Sequence, residues 1–346
     1  PPPRWDLVDT RQVLAMPVQA SRGCPYKCEF CIVTKMFGHK MRYRDVDDVI
    51  AEIESLPVKE VLFVDDNLTM DRRFARELME RLAGMEVSWS CQASIDVGKD
   101  TQLLEQMADA GCEQIIIGFE SLNPASLRSM RKAHNRVEEF QAAIDNIHAA
   151  GLLVFASFVV GFDEDTLDEF ARIHEFARRA PLPYVMLNPL AATPGTALYE
   201  RVVEEGRWRG WHLGERTGVH PNMEFNNFTQ AELFTALVQE VQRLYSFEAI
   251  YERTVPLLAR GTFRRDRRSD DLGVVFKFKM FSRVVGWYLF SGDPHKRRMG
   301  RELLDMGRKG VLSMARAVSV LVSMEAYHQH LDELRIYEQE FVRAEE

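Results

Sequence analysis

Three cysteines that lie close together in the sequence are the residues best suited to chemistry. Cys24, Cys28 and Cys31 fall within eight residues, with the spacing C-x3-C-x2-C. Cysteine thiolates hold iron–sulfur clusters, and a [4Fe–4S] cube normally has four of them. The two remaining cysteines, Cys91 and Cys112, are distant in the sequence. A cube bound here would therefore have three protein ligands, and one iron would stay open to bind another molecule.

Two other uses of cysteine stay open at this point. A zinc site usually combines two separated Cys or His pairs, and the sequence has no second pair of that kind. A disulfide framework is not typical of a long chain with five cysteines. The cluster is the leading prediction. The alternative is an iron–sulfur electron-transfer protein or a zinc-binding structural protein.

The length and composition indicate a folded, globular chain. Its 346 residues, 46% of them apolar, predict two domains or one large barrel with an appendage, and they exclude wholesale disorder. No apolar run reaches the length of a membrane span. The chain does not open on a signal peptide, so we expect a cytoplasmic protein in reducing surroundings. A net charge of −8 argues against nucleic-acid binding.

Behind the cysteines, apolar segments alternate with helices of period 3.6. This alternation predicts a parallel sheet with right-handed crossovers. In α/β barrels the chemistry lies at the carboxyl ends of the strands, so polar residues there are the candidate site residues. The predicted strands are 13–18, 60–64, 87–94, 114–119, 152–162 and 184–189.

The cysteine loop resembles the signature of the radical S-adenosylmethionine (SAM) enzymes. Phe30, before the last cysteine, stands where that family usually has an aromatic residue near the adenine of SAM. The resemblance implies an α/β fold, a partial (β/α)6 barrel over residues 13–205. It implies that the open iron of a [4Fe–4S] cluster chelates the amino and carboxylate groups of SAM. One electron then cleaves SAM to methionine and a 5′-deoxyadenosyl radical, which abstracts hydrogen from an unactivated C–H bond.

The same resemblance points to cofactor-binding residues at the strand ends. Asp65 and Asp66 follow the second strand, where most of the family has a Gly-Gly-Glu-like turn for the amino group of SAM. Gly118, Glu120 and Ser121 end the fourth strand and are similar to the family's Gly-x-Glu-Ser segment. The further cofactor-binding candidates are Gln92, Ser94 and Asn188.

Three other residues near these ends have simpler expectations. Arg131 and Lys132 follow the fourth strand, and we expect both at the surface. Cys91 lies on the third strand, and a buried, inert thiol is the expectation over one that faces the cavity. The sequence identifies no general base and no final hydrogen donor.

Several features resemble the cobalamin-dependent branch of the family, the hopanoid-methylase and cyclase-like enzymes. Residues 1–12 are a predicted linker, and the Pro-Arg-Trp-Asp-Leu segment is similar to the one that joins a cobalamin domain to the SAM domain in that branch. No cobalamin-binding domain is visible in the sequence. Cobalamin is therefore a candidate third cofactor, supplied by a missing domain or by a partner, or else dispensed with.

Residues 206–346 are predicted to form a mainly helical C-terminal extension, similar to the extension of unknown function in that branch. Helices are expected at 228–245 and 301–330. Residues 276–290 mix aromatic and basic side chains, which suits a membrane surface, the lining of an apolar substrate cavity or ordinary packing. From residue 251 onward the net charge is +4, whereas the first 250 residues carry −12.

The function that these features imply is that of a radical SAM enzyme. In such enzymes the cofactors carry the difficult step and the protein positions them. The expected outcome is methylation, cyclisation or rearrangement of a small, apolar metabolite, with a reductant such as flavodoxin or ferredoxin as partner. A methylthiotransferase that modifies tRNA is disfavoured, because the sequence lacks a second cysteine triplet.

Overall fold

The computed structural model describes residues 3–9, 13, 15–210, 221–263 and 274–328, with the backbone alone for 274–280. The strands are β1 (Met16–Val18), β2 (Ser21–Arg22), β3 (Arg42–Tyr43), β4 (Glu60–Phe63), β5 (Ser88–Ala93), β6 (Cys112–Glu120), β7 (Leu153–Val160) and β8 (Tyr184–Pro189). The helices are α1 (Val33–Phe37), α2 (Val46–Ser55), α3 (Arg72–Leu82), α4 (Thr101–Asp109), α5 (Pro124–Ser129), α6 (Val137–Ala149), α7 (Asp168–Arg179), α8 (Ala197–Glu204), α9 (Gln230–Leu244), α10 (Phe247–Leu258), α11 (Val274–Leu289) and α12 (Pro294–Arg308). Residues 314–328 are also helical.

The central sheet confirms the predicted alternation of strands and helices. Its six strands run in the order β1-β4-β5-β6-β7-β8, and every neighbouring pair is parallel. β1 and β8 are the two edge strands, so the sheet is an open, partial barrel. All six carboxyl ends point the same way, which brings the polar residues that follow the strands to one end of the molecule.

The two faces of the sheet differ in their surroundings, as β6 illustrates. Ile115, Ile117 and Phe119 are buried, and the ring of Phe119 packs against Phe140 of α6 and Phe176 of α7. The alternate residues of β6, 114, 116 and 118, are only partly buried. Since successive side chains of a strand point to opposite faces, the helices cover one face. The other face is left available to ligands.

Local signals fix several helix ends where the sequence predicts them. The Asp71 carboxylate caps α3 by accepting hydrogen bonds from the amides of Arg73 and Phe74, at 2.9 and 3.1 Å. Thr229 and Glu232 form a capping box at the start of α9. These side chains satisfy amide groups that have no partner within their helix.

The predictions for two segments were wrong in part. The helix expected at 301–330 is broken, because α12 ends at Arg308 and the next helix begins at residue 314. Between them Gly310 has φ +71°, a left-handed conformation that ends a helix. Residues 329 and 330 lie outside the described part of the chain. Trp5–Leu7, expected to be extended, form a 3-10 turn.

The C-terminal helices share one apolar core with the sheet. Tyr327 stacks on Tyr245, with ring centroids 5.2 Å apart, and also contacts Phe155 and Tyr184 on β7 and β8. The Tyr245 hydroxyl donates to the carbonyl of Val185 at 2.6 Å and accepts from its amide at 3.0 Å. One tyrosine thus satisfies backbone groups on edge strand β8 that would otherwise need a neighbouring strand. Within the described residues, no helix combines the length and the apolar character that crossing a membrane would require.

We predict that Tyr245→Phe destabilises the fold by about 1–3 kcal/mol, because it leaves a buried amide and a buried carbonyl unsatisfied. The free energy of unfolding would be measured with urea. Tyr251→Phe is the matched control, since the Tyr251 hydroxyl bonds the Glu302 side chain rather than backbone. Equal losses in the two variants would contradict the edge-strand role of Tyr245.

Candidate active site

The base of the cysteine loop is held by Asp65, directly after β4. Its carboxylate accepts from the amide of Ala20 at 3.0 Å, from the amide of Ser21, and from the Ser21 hydroxyl at 2.5 Å. Asp65 is 1% exposed. Both carboxylate oxygens therefore hold donors of this chain, which gives Asp65 a structural role, and its predicted role in cofactor binding remains a prediction.

Asp66 faces the loop instead. Its carboxylate lies 3.3 Å from the amide of Gly23, and its charge acts on the Cys24 and Cys31 thiols. Burial raises the pKa of Asp66, while the Gly23 amide favours its ionised form. Asp66 is half-buried whereas Asp65 is buried, and the predicted role of Asp66 in cofactor binding also remains a prediction.

The loop leaves and rejoins the sheet through the short antiparallel pair β2–β3. Gly23 has φ +99°, and a Cβ there would lie 2.7 Å from the carbonyl oxygen of Lys40. Only glycine fits both the left-handed backbone and this close approach. The backbone at the start of the cysteine loop therefore packs directly against the backbone at Lys40.

The far side of the loop is bound to the segments after β6 and β8. The Glu29 amide donates to Met130, and its carbonyl accepts from Leu198, at 3.1 and 3.0 Å. The Glu29 carboxylate pairs with Arg131 at 3.2 Å and with Arg201 at 3.6 Å. Contacts to both neighbouring segments fix Glu29, one of the two residues between the second and third cysteines.

Tyr26, inside the loop, stacks on His134. Their rings are nearly parallel, with centroids 3.6 Å apart. The Ser94 hydroxyl lies near that of Tyr26 and accepts a hydrogen bond from the side-chain amide of Asn67 at 2.6 Å. Burial, followed by the charge of Lys132, lowers the pKa of His134 to about 4, so this imidazole is neutral at pH 7. No local pattern in the sequence predicts this stack.

The three thiols are partly exposed. Cys24 and Cys31 lie close enough to Cys28 for their charges to act on its thiol. Burial raises the pKa of Cys28 to about 11, and the Lys132 charge opposes that rise. Burial likewise raises the pKa of Cys24 and of Cys31. Iron binding would release these protons, since thiolate is the ligand form. Three thiols beside a buried cation are a donor set that fits an anionic, thiolate-ligated cluster.

A metal ion and a cluster need different arrangements of ligands. Within the described ranges, no three His, Cys, Asp or Glu side chains are grouped so as to hold one ion. A [4Fe–4S] cube presents a separate iron to each thiolate, so its ligands need not meet at one point. The cysteine loop is compatible with that wider spacing.

Lys132 is the main correction at the site. It was expected at the surface, but only 14% of its side chain is exposed, and its ammonium lies 2.5 Å from the Glu120 carboxylate. Burial would lower the pKa of Lys132, but the charges of Glu120, Cys28 and Cys31 outweigh it and raise that pKa. The sequence shows a lysine twelve residues after Glu120, and nothing in its local pattern indicates that the chain turns back. Arg131 is 64% exposed, as predicted.

Glu120 takes its place through a bulge at the end of β6. The β6–β7 register shifts between Gly118 and Glu120, and Glu120 has φ +67°. A Cβ on Gly118 would collide with the Glu120 carboxylate and come within 3.2 Å of the Lys132 ammonium. Gly118 therefore makes room for this ion pair. Phe30 completes the group, because the Lys132 ammonium lies 6.0 Å from its ring centroid.

The other predicted residues are less clearly engaged. Gln92 is exposed on the available face of β5, and Asn188 is half-buried on β8 beside Val159. The Ser121 hydroxyl accepts from the Asn123 amide at 2.9 Å, which is a turn contact. Their roles in cofactor binding remain predictions, as does that of Ser94.

The C-terminal extension contributes to the wall of the site. The Asn222 side chain bonds both the amide and the carbonyl of Ala192, at 2.8 and 3.0 Å. Phe225 then packs on Gly161 at the end of β7, where a Cβ would come within 2.7 Å of its ring. Next to Gly161, Phe162 contacts Phe30 of the cysteine loop at 5.9 Å between centroids.

Cys91 is fully buried, as expected. It interacts with Cys112 on the next strand, and burial, followed by that neighbour, raises the pKa of Cys112 well above its usual value. Cys91 lies on the helix-covered side of β5, since its neighbour Gln92 is the exposed one. This pair of thiols does not face the site.

Comparisons with known proteins agree with this geometry. Residues 18–177 match the model of the Radical SAM superfamily. The chain is 32% identical over 244 residues to the bacteriochlorophyllide d C-12(1)-methyltransferase of Chlorobaculum tepidum, which covers 69% of this chain and 53% of that protein. It is 30% identical over 217 residues to the hopanoid C-2 methylase of Rhodopseudomonas palustris, which covers 60% of this chain and 41% of that protein.

A solved structure has a similar fold. The cobalamin-dependent S-adenosylmethionine radical enzyme OxsB, with aqua-cobalamin and S-adenosylmethionine bound, aligns with 95% of this chain and 55% of its own, at a TM-score of 0.51 and 15% identity. At that identity the likeness supports the fold alone. It extends over the C-terminal helices as well as the sheet.

An open parallel α/β sheet with three thiols after its first strand defines a class of iron–sulfur enzymes. Residues 18–177 of this chain therefore form a domain of the Radical SAM superfamily. A domain of that superfamily implies a [4Fe–4S] cluster and SAM as cofactors. The chain spans about half the length, or less, of the curated relatives named here.

We predict that Asp65→Ala lowers the free energy of unfolding by about 2–4 kcal/mol, even without iron, because it leaves buried amides at the base of the loop without a hydrogen-bond acceptor. Asp66→Ala, the adjacent control, should change it by less than about 1 kcal/mol, since Asp66 is half-buried and its one amide contact is long. Urea unfolding of the iron-free protein measures both. The assignment fails if Asp66→Ala is the more damaging change.

Below the end of β7, two carboxylates lie close together. Asp165 accepts from the amides of Gly161 and Phe162, both at 3.1 Å, and from the Ser126 hydroxyl at 2.6 Å. Glu169 is 3% exposed, and Arg172 reaches one of its oxygens. Burial, followed by the charge of Asp165, raises the pKa of Glu169 to about 7.

Glu169 should therefore make stability depend on pH. The pKa of Glu169 in the folded protein is above its ordinary value of 4.5. The stabilisation that its protonated form contributes is therefore complete below pH 4.5 and is lost as the pH rises through 7. We expect Glu169→Gln to be more stable than the wild type at pH 8, by about 1–3 kcal/mol, with a smaller difference at pH 5. Urea unfolding at the two pH values tests this, with the exposed Glu175→Gln as control. A pH dependence unchanged in Glu169→Gln would refute it.

Proposed function

We propose that this chain is the SAM-binding part of a radical SAM enzyme that abstracts hydrogen from an unactivated C–H bond. The observation that carries the proposal is the cysteine loop set against the buried Glu120–Lys132 pair. When bound, the cluster and SAM supply the 5′-deoxyadenosyl radical. Cys24, Cys28 and Cys31 would hold the cluster.

The charged residues around the loop suit the amino-acid end of SAM. That end is a zwitterion, so it needs an anion for its ammonium and a cation for its carboxylate. Asp66 and Glu120 supply anions, and Lys132 supplies a buried cation. Phe30, packed on Phe162, offers an aromatic wall for the adenine. Because the Glu120–Lys132 pair is nearly buried, water screens its charges weakly.

The reaction that follows is proposed from the relatives. Two of them are named as methylating a bacteriochlorophyllide and a hopanoid. We propose methylation, cyclisation or rearrangement of a small, apolar metabolite. Cobalamin is the candidate methyl carrier, and flavodoxin or ferredoxin the candidate electron donor. An electron-transfer or zinc-binding protein is not favoured, given the superfamily match.

The setting of the enzyme also remains a proposal. We place it in the cytoplasm, where reduced thiols persist, and we expect no nucleic-acid partner. We propose that residues 13–205 are the SAM-binding core and that residues 206–346 are the extension that completes its wall. Contact with a membrane surface stays a prediction of the sequence.

The test is SAM cleavage by protein reconstituted anaerobically with iron and sulfide and then reduced. Mass spectrometry should detect 5′-deoxyadenosine from the wild type and none above background from Cys28→Ala, which removes a cluster ligand. Cys91→Ala is the matched control. Because that thiol faces the helices, the variant should retain both the cluster and the product.

The contrary outcomes are equally definite. A loaded, reduced cluster that yields no 5′-deoxyadenosine would refute the proposal and favour electron transfer. If Cys28→Ala still forms 5′-deoxyadenosine, the cysteine loop is not required for SAM cleavage. If the wild type is active, adding methylcobalamin and looking for a methylated product separates the methylase reading from the cyclase reading.

A further inference from the structure

One face of α11 presents aromatic side chains to solvent. Trp287 is 37% exposed, and Phe290, directly after the helix, is 83% exposed. With Arg283 they fall at positions i, i+4 and i+7, which is one face of a helix. A different face of the helix holds Val284 and Tyr288, both fully buried. This segment therefore keeps a packed side and leaves an aromatic side uncovered.

Positive charge is concentrated in this stretch of the sequence. Residues 274–310 contain nine Lys and Arg against three Asp and Glu, a net charge of +6 in a chain of net charge −8. The Arg283 guanidinium lies 5.5 Å from the Trp287 ring centroid. Arg298 and Arg301, on the first turns of α12, are exposed. Aromatic and cationic side chains thus share one part of the surface, on a protein that is otherwise acidic.

We propose that the surface formed by α11 and the start of α12 docks on an anionic lipid bilayer. Helices that lie in the plane of a membrane insert aromatic side chains at the headgroup level and place Lys and Arg against anionic lipids. The charge favours this occupant over a neutral apolar partner. The inference does not depend on SAM cleavage, because docking needs neither the cluster nor the substrate.

The position of the surface determines how the bound protein is oriented. The Tyr288 hydroxyl donates to the carbonyl of Leu321, at 2.8 Å, in the helix that follows α12. Arg316 of that helix pairs with Glu113, at the start of β6. The docking surface is therefore tied to the amino ends of the strands, whereas the cysteine loop lies at their carboxyl ends. Docking leaves the candidate active site accessible to a reductant.

The experiment is cosedimentation of the full chain with phosphatidylcholine vesicles, with and without phosphatidylglycerol. We expect binding to the anionic vesicles, weakened by added salt, and little binding to phosphatidylcholine alone. The variant Trp287→Ser/Phe290→Ser should bind at least about tenfold more weakly. Its control, Leu7→Ser/Leu167→Ser, removes two exposed apolar side chains elsewhere and should bind like the wild type.

The electrostatic part has its own pair of variants. Arg283→Glu/Arg301→Glu should reduce binding about tenfold. Arg73→Glu/Arg128→Glu changes the net charge equally, at exposed positions on α3 and α5, and should leave binding unchanged. Equal losses in the two charge variants would mean that net charge alone acts, and would overturn the docking surface.

Two further results would overturn the proposal. The first is a wild type that does not bind anionic vesicles at low salt. The second is self-association in sedimentation that disappears in Trp287→Ser/Phe290→Ser, which would assign the face to a second copy of this chain. Quenching of tryptophan fluorescence by brominated lipids, lost in Trp287→Phe, would place that side chain in the bilayer.

Discussion

The buried ion pair between Glu120 and Lys132 is the interaction on which the candidate site depends. A charge buried away from water must be paired, because its desolvation is otherwise costly. Here the pair joins the end of β6 to the segment that passes under the cysteine loop. Gly118 makes room for it, and a bulge with an uncommon backbone conformation directs Glu120 toward it. Lys132 also partly opposes the rise that burial causes in the pKa of the three thiols, so it acts on the cysteine loop as well as on Glu120.

The sequence predicted the sheet well and the site in part. Apolar periodicity is a local property, and it located six strands and most of the helices because each signal lies within its own element. The different contacts of Asp65 and Asp66 could not be predicted from the sequence. Two adjacent aspartates are equivalent until the fold gives one of them the amides of Ala20 and Ser21 as hydrogen-bond donors. Lys132 was placed wrongly for the same reason. Its burial depends on a return of the chain that no local pattern records.

The C-terminal residues pack against the sheet and against the segments that follow its strands. Tyr327 reaches β7 and β8 from one side, while Asn222 and Phe225 bind the segments after β8 and β7 near the cysteine loop. The extension therefore touches the barrel at both ends of its strands. The break at Gly310 separates α12 from the helix that carries Tyr327.

Tyr245 has a consequence for how the sheet ends. An exposed edge strand is a template on which another strand can add, from the same chain or from another molecule. By occupying both the amide and the carbonyl of Val185, one phenol hydroxyl removes a point of attachment on β8. A further strand, from this chain or from another molecule, would have to displace Tyr245 before it could pair with β8 at Val185. At this position a side chain occupies the open edge of the sheet, where a larger barrel would have a seventh strand.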